Sequence, residues 1–258
     1  GDAHIDITLA GPVRTILEYI KDEPIALGNK IPVAIDKVDG TGTYHAVVSF
    51  PTLKDLPKDQ VKADVDAVID HIILPKIVKG QTLSGGPFML TGKDGMLTFS
   101  GKGKISDRDI LLNWKEPIAH QPKGPCAVGT IDVDTDENLR QAIGMGVSFL
   151  DGSMPVHIDY KDCFSGVQTA NVKADVTPTR VSISLMGYEK PPGKLGQIAL
   201  DVIVRDKGPV SIKNANVKMP DISVKKTTID IAVLPDGTMG VTKAIVPDYI
   251  FNNSSGAI

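Results

Sequence analysis

In Val61-Lys62-Ala63-Asp64-Val65-Asp66-Ala67 every odd position is apolar and every even position charged. Side chains of a β-strand alternate between faces with a period of two, so such a run specifies a strand with one dry face and one wet one. Ile5, Ile7 and Leu9 alternate with His4, Asp6 and Thr8 in the same way. Val181/Ile183/Leu185, Ile198/Leu200/Val202/Val204 and Ile229/Ile231/Val233 repeat the pattern. Turn signals separate several runs: Gly92-Lys93-Asp94-Gly95 lies between Phe88-Met89-Leu90 and Met96-Leu97-Thr98-Phe99, and Pro235-Asp236-Gly237 follows the Ile229 run. Asp-Gly at such a place marks a hairpin. The chain is expected to be mainly β, with an extended, curved, mostly antiparallel sheet.

Helical patterns are scarce. One runs from Pro12 to about Ile20, with Pro in its first turn and Val13, Ile16, Leu17 and Ile20 on one face. The other runs from about Asp136, a good helix cap, to Ile143, ahead of Gly144 and Gly146. Both follow a strand that opens a repeated order of elements. Ile5-Asp6, a helix, Ile31-Pro32-Val33 and Val61-Lys62-Ala63-Asp64-Val65 recur as Ile131-Asp132, a helix, Met154-Pro155-Val156 and Val172-Lys173-Ala174-Asp175-Val176. Recurrence of strand-rich units points to stacked repeats. The expected division is a first unit over 1–118, a Pro-rich connector over 119–125, and a shorter second unit over 126–258.

A dozen or more one-sided strands have apolar faces that two short helices cannot cover. Two outcomes remain open. The sheet closes into a dry β-sandwich or solenoid, or it stays partly open as a groove (a taco-like trough) whose apolar floor takes another occupant. The faces are rich in Val, Ile and Ala and poor in large aromatics, which suits either outcome.

Composition narrows the function classes. A net charge of −3, from 28 basic and 31 acidic residues, argues against a nucleic-acid-binding surface. Aromatics at 5% leave little for stacking on bases or sugars. Cys126 and Cys163 either bridge or remain two small core residues, and they have no zinc spacing. No signal peptide and no apolar run of membrane-spanning length occurs. Gly1 opens directly into a strand with no initiator Met, so the chain reads as an excised piece, which leaves room for an anchor or export signal in the removed sequence.

No catalytic constellation emerges. Asp132-Val133-Asp134-Thr135-Asp136 begins like a calcium loop, but Glu137 stands where the sharp-turn Gly is needed and Ile143 replaces the closing acid. It reads better as the wet edge of a strand leading into the Asp136 cap. His4, His45, His71, His120 and His157 are scattered without metal-ligand pairing. Ser84 and Ser165 lack a nucleophile elbow, and Gly101-Lys102-Gly103 lacks the rest of a phosphate loop, so its small residues mark a strand twist or bulge. Asn252 and Asn253 fall in formal glycosylation sequons, which carry no weight by themselves. No enzyme and no cofactor is expected.

The stretch Gly1-Asp2-Ala3-His4-Ile5-Asp6-Ile7-Thr8-Leu9-Ala10-Gly11-Pro12, a short helix, Glu23-Pro24, the Gly40/Gly42 strand and Leu112-Asn113-Trp114-Lys115-Glu116 resemble the AsmA-like superfamily of Gram-negative envelope proteins. The likeness is greatest to its large YhdP- and TamB-type bridge-like lipid transfer members. It covers most of 1–118 and, more weakly, the second copy, where Asp136-Glu137 replaces Gly11-Pro12 and no Trp recurs. The resemblance implies a protein anchored in the inner membrane that crosses the periplasm as a β-groove. It implies phospholipid transport toward the outer membrane, with acyl chains on the strand faces as the ligand and flanking repeat units as partners. Membrane contact would come through segments outside this piece.

Strand parity then selects the groove floor: Ile5, Ile7, Leu9, Val61, Ala63, Val65, Ile69, Val181, Ile183, Leu185, Leu200, Val202, Val204, Ile229, Ile231 and Val233. The rival reading is a closed structural or adhesin module with a dry core and no ligand.

Overall fold

The computed structural model describes residues 1–21, 34–53, 60–119, 124–143, 145–206, 209–233, 239–252 and 254–256, and statements of absence below refer to these. Ile31-Pro32-Val33, Glu23-Pro24, His120, Gly144, Pro235-Asp236-Gly237 and Asn253 lie outside them, as does most of the Pro-rich connector. Eighteen strands and two α-helices are described, so the chain is mainly β and antiparallel. It divides into two compact units, Gly1–Ala119 and His120–Ile258.

The first unit is an up-and-down meander of β1 (Asp2–Pro12), β2 (Asp39–Pro51), β3 (Lys62–Val78), β4 (Gln81–Lys93), β5 (Met96–Ile105) and β6 (Arg108–Pro117), paired in that order. It does not return to pair β6 with β1, so no barrel forms. Three of its turns use two residues with φ positive at both: Lys79-Gly80, Asp94-Gly95 and Ser106-Asp107. That geometry matches the twist of paired strands and fixes their register. The helix α1 (Val13–Lys21) leaves β1 immediately after Pro12. Arg14 ties it to the segment leading into β2, donating from Nε and Nη2 to the Val38 carbonyl at 3.0 and 2.9 Å.

The register places the apolar residues in rows across the sheet. One row reads Ile7, Ala46, Val65, Gly92, Leu97, Glu116, and the next reads Leu9, Tyr44, Ala67, Leu90, Phe99, Trp114. The opposite face carries Thr8, His45, Asp66, Thr91, Thr98 and Lys115. In the middle of β3 the alternation skips a beat. His71 takes a positive φ of 52°, and the register shifts there, so Ile69 and Ile72 are both buried although they stand three apart. Such a bulge bends the strand and restores the apolar parity. Opposite it, β4 bulges between Gly85 and Phe88, and Phe88 settles over Gly101 and Gly103 of β5, where any Cβ would meet its ring within 2.6 Å.

The second unit begins with β7 (Ala127–Thr135) and α2 (Glu137–Ala142), capped by Asp136, whose carboxylate accepts from the Leu139 amide at 2.8 Å. Its large sheet runs β7, β9 (Met154–Asp162), β10 (Val167–Asp175), β13 (Gln197–Arg205), β14 (Val210–Met219), β15 (Ile222–Val233), β17 (Asp248–Phe251) and β18 (Ser254–Gly256), with β16 (Met239–Ile245) also on β15. A second sheet of three short strands, β8 (Leu150–Asp151), β11 (Arg180–Ile183) and β12 (Tyr188–Lys190), is ordered β12-β11-β8. Cys126 and Cys163 are bridged, stapling β7 to β9 just beyond the Ala127–Asp162 pair.

The small sheet corrects one expectation. Val181, Ile183 and Leu185 do not belong to the large sheet: β11 ends at Ile183, and Leu185 lies in a 3-10 turn, Ser184–Met186, closed by Gly187 at φ 61°. Four residues of alternation are too short to decide which sheet a strand joins. Val181 is 1% exposed and packs into the core with Leu150, Met154, Val156, Val172, Ala174, Val176, Tyr188 and Ile222.

The two units share an opening order of strand, helix and paired strands, with β1, β2 and β3 adjacent in the first and β7, β9 and β10 in the second. Ile5 faces Val48 and then Ala63, as Ile131 faces Ile158 and then Val172. Ala63, rather than the Val61 expected from the sequence match, therefore stands where Val172 stands. The slip is of two residues, so the apolar face is unchanged.

Candidate functional site: the apolar sheet faces

Each face is built by parity and register, and what distinguishes its parts is cover. On β1, Ile5, Ile7 and Leu9 are 45%, 39% and 51% exposed. Val61, just ahead of β3, and Ala63 are exposed, and Val65 is half-buried. On the inner strands β2, β3 and β4 the same face is shut: Tyr44, Ala67, Ile72, Leu83 and Phe88 are buried. Ile69, expected on the floor, belongs to this covered part at 6% exposure. Phe88 stacks on Phe99 with ring centroids 4.8 Å apart. The Tyr44 hydroxyl is buried with no hydrogen-bond partner, and that burial raises its pKa.

In the second unit Leu200, Val202, Ile229 and Ile231 are half-buried, and Val204 is exposed. They lie in rows that the register draws across the large sheet, one through Ile131, Ile158, Val172 and Leu200, another through Tyr160, Ala170, Val202, Ile212 and Ile229. Val181 and Ile183 form part of the cover over this face, packed on the buried cluster. The side chains of Leu185 and Val233 lie outside the described residues.

Parity within single strands missed much of the face. Tyr44, Ala46 and Val48 of β2 complete the rows of β1, but Val47 places an apolar residue on the charged side and blurs the alternation. Ile72, Leu74, Ala215 and Val217 were hidden by bulges that a fixed period of two cannot follow. The only legible signal there was the short polar insert, Asp70-His71 in β3 or Lys213-Asn214 in β14.

The opposite faces are mainly polar, although Val68 and Met89 stand exposed on that of the first unit. His157 bonds Asp132 through Nδ1 at 2.6 Å and Asp159 through Nε2 at 3.3 Å. The Asp132 hydrogen bond raises the imidazole pKa from its ordinary value, desolvation opposes the rise, and the charge of Asp132 and the contact with Asp159 add to it. Asp201 accepts from Asn214 at 2.7 Å and from Asn171 at 2.8 Å, which together hold its carboxyl below the usual range. His45 bonds Asp6 at 2.9 Å in the first unit. These groups lie on strand faces and use their bonding capacity on one another. Among the described residues no three His, Cys, Asp or Glu side chains converge to hold a metal, and no helix is long and apolar enough to cross a membrane. No protein-family model, curated protein or solved structure matches the chain.

Proposed function

We propose that the protein binds phospholipid acyl chains on the open parts of its apolar faces, as a piece of a periplasmic, inner-membrane-anchored bridge for lipid transport between membranes. The observation that carries this reading is the edge of the first sheet. Ile5, Ile7 and Leu9 project side by side from an unbroken eleven-residue strand, exposed, with charge only on the other face. Removing such surface from water is worth about 25 cal/mol per Å², and aliphatic residues supply it without demanding a specific polar partner. Headgroups would remain in water at the open margin. The Cys126–Cys163 bridge suits an oxidising compartment such as the periplasm. The resemblance to AsmA-like proteins points to the same role, with flanking repeats continuing the conduit.

The test is native mass spectrometry of the purified protein after incubation with phosphatidylethanolamine and phosphatidylglycerol. Bound phospholipid is expected on the wild type, and its loss in Ile7→Asp and Val65→Asp with the far-ultraviolet circular dichroism retained. A wild-type protein that stays lipid-free would sink the reading in favour of a dry structural module.

A further inference from the structure

The second unit shuts one end of its own apolar face. We infer that α2 and the β12-β11-β8 sheet form a fixed stopper, so that an acyl chain held by this unit runs from the Val204 end across Val202 as far as Leu200, where the row meets buried Val172, and never reaches the residues beneath the stopper. The inference rests on the lipid-binding function proposed above.

Burial divides the face along its strands. Met154, Val156, Ala174 and Val176 are 0–8% exposed, beneath Leu150 and Val181 of the small sheet. At the other end of the same sheet Val204 is 38% exposed. A loose flap of apolar side chains would be displaced by a competing acyl chain, because one greasy contact replaces another at little net change. This cover is instead pinned by polar bonds that a lipid cannot replace. Arg140 of α2, 1% exposed, donates to the carbonyls of Thr135, Leu150 and Gly152, joining β7 to β8. Lys190, also 1% exposed, donates to the carbonyls of Thr177, Thr179, Pro191 and Lys194. The Tyr188 hydroxyl donates to the Pro220 carbonyl at 2.7 Å and so fastens β12 to the turn between β14 and β15. Lifting the stopper to admit an acyl chain would break the Arg140–Thr135 and Tyr188–Pro220 bonds to the large sheet, and hydrocarbon in its place offers those polar groups no partner. The stopper thus sets where in this unit the acyl chain ends.

Photo-leucine, a diazirine analogue close to leucine in shape, tests this when incorporated at a low fraction of the leucines so that most packing is native. The protein is illuminated with vesicles of palmitoyl-oleoyl phosphatidylethanolamine and phosphatidylglycerol, and lipid adducts are mapped by peptide mass spectrometry. Leu195, 79% exposed on a loop, sets the background of random collision. Adducts above that background are expected at Leu9 and Leu200, with none at Leu150 or Leu139. Adducts at Leu150 equal to those at Leu200 would overturn the stopper and leave lipid binding standing. Background levels at both Leu9 and Leu200 would overturn lipid binding and the stopper with it.

Discussion

Two cations, Arg140 and Lys190, are more deeply buried than most of the leucines, and neither relies on a bridging carboxylate for its hydrogen bonds. Backbone carbonyls surround them instead. Burial lowers the pKa of Lys190, only partly offset by the charge of Asp175, so desolvation outweighs attraction at this site. Its value to the fold lies in the loop carbonyls it satisfies. Lys190→Met keeps the aliphatic volume and removes the donor, and each buried acceptor left bare costs about 1–3 kcal/mol. A loss of about 3 kcal/mol is expected in urea denaturation followed by circular dichroism; an unchanged midpoint would contradict the role. Nothing in Glu189-Lys190-Pro191-Pro192 marks this lysine as interior, because charged residues in a sequence are read as surface ones and the carbonyls that make an exception come from residues brought together by folding.

At the scale of elements, alternation and turn chemistry were legible: β1, the open half of β3 and the Asp94-Gly95 hairpin follow from the residues themselves. Short β11 was not, since Val181 and Ile183 alternate as any strand does and only the partners β8 and β12 distinguish their sheet. The staple between β7 and β9 was undecided from spacing alone, because pairing depends on two strand ends meeting. Closing the 37-residue separation between Cys126 and Cys163 removes loop entropy from the unfolded chain worth about 4 kcal/mol. Cys163→Ser is therefore expected to lower the stability of the second unit by about 2–4 kcal/mol. Equal denaturation curves for the wild type with and without reductant would contradict it.

Across the whole molecule, each unit sets a mainly apolar face against a mainly polar one, and the proposed function turns on how much of the apolar face is covered. The contrast is testable within one strand. Ile72, 3% exposed, and Val65, half-buried toward the open part, sit on the same face of β3. Ile72→Asp puts an unpaired carboxylate in the dry part and is expected to unfold the first unit, whereas Val65→Asp leaves it folded, as judged by thermal denaturation. If both variants unfold alike, the face is dry throughout. The sequence by itself determined the β class, the hairpin turns and the identity of the residues on each strand's dry face, because a period of two and the demands of positive φ act over a few neighbouring residues. Only the tertiary structure decided which of those residues are open and which are core, because bulges reset parity midway along strands and cover is supplied by elements distant in the chain.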